Sequence, residues 1–599
     1  MAGFSGIQVA LQTLLAQQAA LEITQNNVAN ANTEGYHRQE AVLKAGYPTR
    51  SMAFSNSSGV QNIGTGVYVA SIKRYSLNFY DTQYRNQLSN NSYYSTIVEM
   101  LSEIETNLGD DSGDGLTNRL NNFFSAWQTV ATDPDIPANR EDLLETAQTL
   151  VEGFQDRASR LLQIQKDQDL SITQRVSDVN KIAAQLAELN AQIGRSQTET
   201  YQPNALLDER DRLLDQLSGL IGVTTHIQDD GQAMISIQGH ALVVGSRSFE
   251  LDATAQGKKN LVQINWADEP DNPLTIESGE IGGLLYARDV VIEEQLEKLD
   301  DTATSVMNRV NTIHRSGYDL DGAAGINFFT SNASAVFLSG HLNLFSSIGA
   351  TYNVDMEVRD ETGTPHAVTL QFTKTATNQW TYASLTAGAS IVNNDNLTTI
   401  SNGVVTFDAS GNYVSNNGRI LYGTQATSLD MENLKQTGGT ASSVGIDNLN
   451  DALSIRINPL LTSYRQIAAA TVTNAPGDGN NALAIANSVT STTNALVAAL
   501  SDFDDPVAAS GEDSILHFNT SRITEFALKQ RHAETGVSDT KSILSAMDDQ
   551  REAVSGVNSD EEATNMVKYQ RAYQAAARLM NVFDEMLELI VTNLGLVGR

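Results

Sequence analysis

Both ends of the chain carry apolar residues at helical spacing. From Gly6 to Val28 these residues recur at steps of three, four or seven, which is the pattern of one face of an amphipathic helix. The positions on this face are Ile7, Leu11, Leu14, Leu21 and Val28. Near the other end, steps of three and four run without a miss through Met566, Tyr569, Tyr573, Ala576, Met580, Phe583, Leu587, Ile590 and Leu594. The pattern predicts a long terminal helix at each end, each with a narrow seam of the coiled-coil type.

Local signals predict where these two helices stop and start. The Asn-rich stretch from Asn26 to Tyr36 contains residues that tolerate the left-handed conformation, so the first helix should end there. Ser559 and Glu562 have the spacing of a capping box, and Asp560 and Glu561 add negative charge to the predicted first turn of the last helix.

Between the terminal helices the period changes several times. Helical spacing over 77–108 and 116–220 gives way after Gly222 to alternation, with turn signals at Asp230-Gly231 and Gln238-Gly239. Two long helices packed side by side would fit 116–220, which is broken at Asp133–Pro137 and at Thr200–Asn204. Helical spacing returns over 281–314, and a second β-rich block follows over 328–443, with hairpin signals at 361–363 and 409–411. Helices are expected again from about Asn448, with an interruption at 474–481.

The predicted fold class is therefore α+β and multidomain, with a helical-bundle body and inserted β-rich domains. The predicted segments are a terminal helical unit 1–45 that pairs with 555–599, a helical body in three parts (46–222, 281–327 and 448–554), a small β-region 223–280 and an inserted outer β-domain 328–447. At roughly 100 to 200 residues per domain, 599 residues are enough for several cores.

Composition excludes several classes of protein. With 71 acidic and 38 basic residues the formal net charge is −33, which repels phosphate backbones, so we expect no nucleic-acid partner. The absence of cysteine removes thiol nucleophiles, disulfides and thiolate metal sites. No run of 18 apolar residues occurs, so membrane insertion is not expected. Since the first basic residue is Arg38, a cleaved secretory signal is not expected either.

The search for catalytic and metal-binding patterns leaves no constellation. The eight histidines lie at least 14 residues apart, too far for the short-spaced pair of zinc hydrolases. The stretch 477–482 fits G-x-G-x-x-A, but it lacks a preceding strand and is better read as a loop that caps a helix. The stretch 110–121 imitates the start of a calcium loop but has Asn121 in place of the bidentate Glu. We therefore expect no catalytic residues, no metal and no cofactor.

The terminal seams allow two interpretations. Such a helix most often packs on its own domain, but these helices are long, lie at the two ends of the chain and have narrow seams. Helices of this kind become stable by pairing, either with each other or with neighbouring subunits, so we favour assembly.

The sequence resembles the axial proteins of the bacterial flagellum at both ends. Their first helix ends in an A-N-x-x-T-x-G-Y signature, and here the signature residues are Ala29, Asn30, Asn32, Thr33, Gly35 and Tyr36. The stretch 555–590 is similar to the matching terminal helix. Within this superfamily, 113–154, 279–322 and 474–487 resemble the hook-associated protein 1 family, which forms the junction between hook and filament. The block 328–443 shows no pattern that we can match.

The resemblance implies a non-enzymatic structural subunit of the flagellum, located outside the cell and exported unfolded by the flagellar type III apparatus. It also implies its partners: copies of itself in a ring-like helical zone, the hook protein, the next hook-associated junction protein, and an export chaperone on the C-terminal helix. Two alternatives remain open. One is another axial subunit, from hook or rod, and the other is a secreted adhesin or enzyme carried on flagellar termini.

Overall fold

The computed structural model gives a chain of long helices and several β-sheets. It describes all residues except 1, 47–48, 51–61, 64–65, 110–114, 197–201, 229, 256–260, 332–334, 360–364, 395–397, 424, 432–433, 438–441, 448–450, 491–506, 508–513 and 595–599. The calcium-like stretch at 110–114 and the hairpin signal at 361–363 therefore lie outside the described residues.

The described helices differ widely in length. They are α1 (Ala2–Ala29), α2 (Asn78–Leu108), α3 (Leu116–Thr132), α4 (Pro137–Ser196), α5 (Asn204–Leu220), α6 (Gly279–Tyr286), α7 (Glu293–Ser316), α8 (Asp451–Ser454), α9 (Asn480–Ser488), α10 (Ile515–Ser555) and α11 (Ser559–Leu594). A π-helical segment, Ala287–Ile292, joins α6 to α7, and a 3₁₀ turn covers Tyr464–Gln466.

The strands fall into small sheets near the helices and two larger sheets in the second β-block. They are β1 (Gln39–Ala45), β2 (Thr49–Arg50), β3 (Asn62–Ile63), β4 (Val67–Arg74), β5 (Thr224–Ile227), β6 (Ala233–Ile237), β7 (His240–Val244), β8 (Arg247–Ser248), β9 (Leu251–Ala255), β10 (Val262–Trp266), β11 (Glu269–Pro273), β12 (Phe329–Ser331), β13 (Ala335–Asn343), β14 (Thr351–Arg359), β15 (Pro365–Ala376), β16 (Gln379–Ser384), β17 (Ala389–Asn393), β18 (Thr399–Ile400), β19 (Gly403–Phe407), β20 (Tyr413–Asn416), β21 (Gly418–Tyr422), β22 (Gln425–Asp430), β23 (Leu434–Thr437), β24 (Ser443–Asp447) and β25 (Ile455–Ile457).

Most pairings are antiparallel and local. β1 pairs with β4, β5 to β8 form a four-stranded meander, and β9 to β11 form a three-stranded sheet. The second β-block holds a five-stranded sheet in the order β14-β15-β16-β19-β20 and a seven-stranded sheet built around β13. β13 is parallel to β22 and β23 and antiparallel to β24. The short pair of β12 with β25 joins the two ends of this block where it enters and leaves the helical body.

Each part of the chain has its own buried cluster. The helical body is packed around Trp127, Phe123 and Phe328, all of which are fully buried. A second cluster joins the latter half of α4 and α5 to the sheets of β5 to β11, and a third lies between the sheets of the second β-block, around Trp380. These separate cores confirm the predicted α+β multidomain class.

Two predicted elements differ from the structure. Residues 116–220 form three helices rather than two, because α4 continues unbroken from Pro137 to Ser196 after α3 has ended at Thr132. The helices expected from Asn448 begin only at Asn480, apart from the single turn α8. The backbone of this segment bonds to distant segments instead of to itself: Asn458 donates to Phe328 and Ala470 accepts from Tyr318, at 2.9 and 2.8 Å. Tertiary contacts therefore override the local spacing.

Candidate assembly site at the chain termini

The two terminal helices, α1 and α11, pack against each other in antiparallel fashion. Small side chains make the approach close, since Ala10, Ala16 and Ala20 of α1 are all buried. A Cβ atom added to Gly6 would lie 2.4 Å from the Cζ atom of Phe583, so the aromatic ring occupies the space that the glycine leaves. Small residues therefore form much of the buried face of α1, together with the polar residues Gln17, Thr24 and Asn27.

Most described positions of the two predicted seams are buried or partly buried, and two positions on α1 are exposed. On α11, Tyr569 and Ala576 are buried, and the side chains of five further positions are partly buried: Met566, Tyr573, Met580, Phe583 and Leu587. The side chains of Ile590 and Leu594 lie outside the described residues. On α1, Leu11 and Val28 remain 41% and 40% exposed, while Ile7, Leu14 and Leu21 are partly buried. The role of the seam residues of both helices as an assembly interface stays a prediction.

The start of α11 differs from the predicted capping box. Asn558 is the capping residue, because its Oδ1 atom accepts from the backbone N–H groups of Asp560 and Glu561, at 3.0 and 3.2 Å. Ser559 is already inside the helix. Glu562 does not reach back to cap, because its carboxylate is buried and binds Arg38 at 2.8 Å.

Asn27 links both ends of the chain through one fully buried amide. Its Nδ2 atom donates to the Glu562 carboxylate at 3.0 Å and to the carbonyl of Gln39 at 2.8 Å. Its Oδ1 atom accepts from the Tyr36 hydroxyl at 2.8 Å and from the backbone N–H of Gln39 at 3.0 Å. One side chain thus holds α1, β1, the loop before β1 and the start of α11 together.

The flagellar signature forms the loop between α1 and β1. Ala29 is the last residue of α1, and Asn30 bonds back to Asn26. Thr33 donates to the Asn30 side chain at 3.3 Å, and Gly35 adopts φ 77°, a left-handed conformation that favours glycine. The exposed Asn32 lies on the outer side of this loop. Burial, with the negative charges of Asp208 and Glu562, raises the pKa of Tyr36 to about 12, so its phenol stays protonated and donates to Asn27.

A cluster of charged residues joins the terminal pair to the helical body. We call it the ion cluster, and its members are His37, Arg74, Asp81, Arg85, Asp208, Arg210, Asp211, Asp215 and Arg551. Arg74, at the end of β4, binds Asp208 and Asp211 of α5, both at 2.7 Å. Arg551, near the end of α10, binds Asp215 at 2.7 Å, so residues far apart in sequence meet here.

Opposite charges balance one another in the ion cluster. Burial alone would raise the pKa of the Asp211 carboxyl, but the positive charges of Arg210, Arg74 and Arg85 outweigh it and lower that pKa well below its usual range. For Asp81, burial and the negative charge of Asp211 outweigh the positive charges of Arg85 and Arg551, so the pKa of its carboxyl is raised. The cluster therefore depends on Asp211 as the shared anion of three arginines.

A polar cleft of about 760 Å³ opens beside the ion cluster. Its walls are residues 31–37 of the signature loop, α2, α5 and the turn between α10 and α11. His37 lines it with a buried Nε2 atom that has no hydrogen-bond partner. Within the described part of the chain, no group of three or more His, Asp or Glu side chains could hold a metal ion. Among the same residues, no helix has an apolar stretch long enough to span a membrane.

Sequence reasoning missed Asn27 and the ion cluster. A signal for the cluster was present on α5, because Asp211 lies four residues after Leu207 and three before Leu214, in phase with the apolar face. A charge at such a position is expected to be buried and paired. Its partner Arg210 is adjacent in sequence, but Arg74 and Arg85 could not be identified, since they come from β4 and α2, more than a hundred residues earlier.

Family models match four parts of the chain. The model of the flagellar hook-associated protein FlgK helical domain matches 101–329, and that of the flagella basal body rod protein matches 7–37. The model of the flagellar basal body rod FlgEFG protein C-terminal region matches 550–593. The model of the flagellar basal body protein FlaE D2 domain matches 344–480, which overturns our reading that the second β-block matches no known pattern.

Relatives match along the whole length. The chain is 27% identical to flagellar hook-associated protein 1 of Salmonella typhimurium, over 97% of this chain and 99% of the relative. It is 28% identical to the protein of the same name from Bacillus subtilis, over 100% of this chain and 99% of the relative. The solved structure of the flagellar hook junction protein FlgK from Burkholderia pseudomallei is similar in fold, with a TM-score of 0.55 and 17% identity, over 79% of this chain and 100% of that one.

Proposed function

The chain belongs to the flagellar hook-associated protein 1 family, and from this premise we propose that it is a structural subunit of the junction between the flagellar hook and filament. The observation that carries the proposal is the match to relatives of that name from end to end, which includes both terminal helices. The antiparallel packing of α1 on α11 supports it, because a paired terminal unit is the element through which such a subunit would assemble.

The proposed role of each part of the chain follows the segments expected from the sequence. Segments 1–45 and 555–599 would form the axial unit that contacts neighbouring subunits. The helical body of 46–222, 281–327 and 448–554 would surround it, with 223–280 and 328–447 as β-domains on the outside. The ion cluster supports this arrangement, since it binds α10 and β4 to α5 at the place where the chain passes between the axial unit and the body.

The proposed partners are copies of this chain, the hook protein and the next hook-associated junction protein. We further propose export through the flagellar type III apparatus, with a chaperone on the C-terminal helix, and a final location on the flagellum outside the cell. A chain that is threaded unfolded cannot depend on preformed disulfides, and this one has no cysteine. We propose no catalytic activity, because the named relatives are structural flagellar proteins.

Electron microscopy of cells that lack the gene, with an assay for flagellin released into the medium, tests the proposal. Bare hooks with free flagellin are the expected result. Absent hooks would instead assign the chain to the hook or rod, and normal filaments would point to another secreted role.

Complementation by point variants then tests the terminal unit. Phe583→Asp and Leu587→Asp should fail to restore filaments, because each places a charge between α1 and α11. Leu528→Asp is the matched control, since Leu528 lies 59% exposed on α10. Normal filaments with either seam variant would contradict the role of this helix pair.

A further inference from the structure

The polar cleft beside the signature loop contains an unpartnered ring nitrogen. The His37 side chain is only 2% exposed, and its Nε2 atom is buried without a hydrogen-bond partner. Buried polar atoms in folded proteins are almost always hydrogen-bonded, so this atom calls for a group that enters the cleft. The cleft volume of about 760 Å³ lies within the range of roughly 300–1,000 Å³ that is usual for ligand sites.

The surroundings of the other ring nitrogen indicate which group Nε2 needs. The Nδ1 atom of His37 lies 2.9 Å from a carboxylate oxygen of Asp208 and 3.0 Å from the carbonyl oxygen of Gly35. The Nη2 atom of Arg74 is also 2.9 Å away, but it already donates to Asp211. We therefore assign the ring proton to Nδ1, where it faces two oxygen atoms. In this tautomer Nε2 is an acceptor, so the group that it lacks is a donor.

The lining of the cleft carries an excess of negative charge. Its two guanidinium groups are already paired, Arg551 with Asp215 inside the lining and Arg212 with Glu209 outside it. Three further carboxylates of the lining are exposed and form no ion pair with any described residue. These three are Glu34, Asp548 and Glu552. The cleft therefore offers unmatched negative charge together with a buried acceptor.

The surroundings of Tyr84 show that charges from separate segments act on the same space. Tyr84 lines the cleft, with the Cζ atom of Arg551 4.8 Å from the centroid of its ring. Burial raises the pKa of the Tyr84 phenol, and the negative charges of Asp215, Asp548 and Glu34 raise it further. The positive charge of Arg551 acts in the opposite direction. Carboxylates of the signature loop, α5 and α10 therefore meet at this cleft.

We propose that the polar cleft binds a basic side chain, arginine or lysine, from a neighbouring subunit. An N–H group of this side chain donates to Nε2 of His37, and its positive charge pairs with the three exposed carboxylates. The excess of negative charge disfavours an anion. A metal ion is a poorer occupant, because no three His, Asp or Glu side chains in the described part of the chain are placed to hold one. That the basic side chain belongs to another subunit rests on the proposed function.

The buried nitrogen and the exposed carboxylates contribute differently to this site. Exposed ion pairs are screened by water and salt, so the carboxylates attract a basic side chain without fixing its position. The bond to Nε2 is made inside the cleft and depends on geometry, so it selects a donor that can enter. Removal of either feature should therefore weaken the contact.

Photo-cross-linking in assembled hook–filament particles tests the proposal. Benzoylphenylalanine replaces Gln216, an exposed residue of α5 in the cleft lining, in cells that lack the chromosomal gene. After irradiation, a product with the mass of two chains should form, and mass spectrometry should find an arginine or lysine at or beside the point of attachment in the second chain. Asn32, an exposed lining residue of the signature loop, is the attachment site if the Gln216 variant does not restore filaments. Restored filaments without this product, or attachment to a segment that has no basic residue, would overturn the proposal.

Neutral variants test the chemistry of the contact. Asp548→Asn should lower the yield of the cross-link, whereas Asp549→Asn should leave it unchanged, because Asp549 is exposed but does not line the cleft. His37→Asn should also lower the yield, since asparagine can keep a donor near the position of Nδ1 but has no atom at that of Nε2. Equal yields in the Asp548 and Asp549 variants would overturn the proposal, as would an unchanged yield in the His37 variant.

Charge exchange tests the contact in cells. Replacement of the identified basic residue by Glu should reduce the number of filaments, and Glu552→Arg in the same cells should restore part of it. A combined variant with no more filaments than the partner variant alone would overturn the pairing.

The two proposals fail in different ways. If the proposed function is wrong, the deletion strain itself has normal filaments or lacks hooks, before any variant is made. If only the cleft contact is wrong, the deletion strain has bare hooks, and the benzoylphenylalanine variants restore filaments without the expected cross-link.

Discussion

Replacement of Asn27 by leucine should separate the terminal helices from the rest of the protein. Leucine has the same number and branching of side-chain heavy atoms as asparagine, so the change removes hydrogen bonds without opening a large cavity. The bonds lost are those to Glu562, to the Tyr36 hydroxyl, and to both backbone groups of Gln39. After the change, the buried Glu562 carboxylate keeps only its partner Arg38.

The size of the effect follows from these four bonds. Each is worth about 1 kcal/mol net, and a buried group left without a partner costs about 1–3 kcal/mol. Tyr36 and Gln39 are only partly buried, so water can replace part of what they lose. We expect a loss of about 4 kcal/mol, a large share of the roughly 5–15 kcal/mol that stabilises a domain.

Hydrogen exchange followed by mass spectrometry is the appropriate assay, because a multidomain chain has no single unfolding transition. At 1.36 kcal/mol per tenfold change, a loss of 4 kcal/mol raises the opening constant about a thousandfold. Amides of α1 and α11 should exchange faster by that factor, while those of α4 should not change.

Asn26→Leu is the control for this prediction. Asn26 precedes Asn27 on the same helix, but it is exposed, and its side chain accepts only from Asn30. Similar exchange in the two variants would refute our reasoning. Unprotected α1 and α11 amides in the wild-type monomer would refute its premise, that these bonds hold the pair before assembly.

Three further predictions concern the body and the helix contact. His314 is fully buried, and burial lowers its pKa from 6.5 to about 4. The neutral side chain therefore contributes its full share to the free energy of unfolding above pH 6.5, and this share falls by about 3 kcal/mol as the pH drops toward 4. The ring centroid of Trp127 lies 6.1 Å from that of His314, so Trp127 fluorescence should report this loss during urea unfolding. Trp266 and Trp380 are replaced by Phe so that Trp127 alone gives the signal. His314→Gln should remove the pH dependence. Gly6→Val should lower the free energy of unfolding by about 1–3 kcal/mol, because the new side chain displaces the Phe583 ring. In a double-mutant cycle, Phe583→Ala should relieve part of that loss, and additive effects would count against the contact. Asp211→Asn should lower the free energy of unfolding by about 3–5 kcal/mol, because three arginines lose the negative charge that they share. Asp230 is exposed, so Asp230→Asn should change the unfolding midpoint little. Equal midpoints in the two variants would contradict the role of Asp211.

The two terminal helices differ in how far a hydrophobic pattern describes their packed faces. On α11 the large seam residues Tyr569 and Phe583 pack against α1, so the spacing that predicts the helix also gives part of its packed face. On α1 the close approach demands alanine and glycine at Gly6, Ala10 and Ala20, and small residues carry little weight in a hydrophobic pattern. The pattern therefore followed the leucines, of which Leu11 is exposed.

Contacts between distant segments account for the other differences. The ion cluster joins residues as far apart as His37 and Arg551, and no local pattern relates them. Similarly, the segment after residue 454 has apolar residues at helical spacing, yet Ile455–Ile457 pairs with Phe329–Ser331 to close the base of the second β-block. Sequence periodicity describes what a segment does alone, and here the bonds to other segments prevail.

The terminal pair combines buried polar bonds at one end with apolar contact along the rest. A buried alanine adds one methyl group, worth about 0.8 kcal/mol, against about 1.5–3 kcal/mol for a buried leucine. Because the buried apolar residues of α1 include three alanines, the apolar burial between the two helices comes mainly from larger side chains of α11, such as Tyr569 and Phe583. Asn27, Glu562 and Arg38 add hydrogen bonds that hold the pair in one direction. Hydrogen bonds depend on geometry, so they fix the direction of the helices more strictly than apolar burial does. Large apolar residues stay exposed on both helices of the single chain, among them Leu11 on α1 and Leu579 and Leu589 on α11. If the chain assembles through its termini as we propose, these residues are buried only when neighbouring copies arrive.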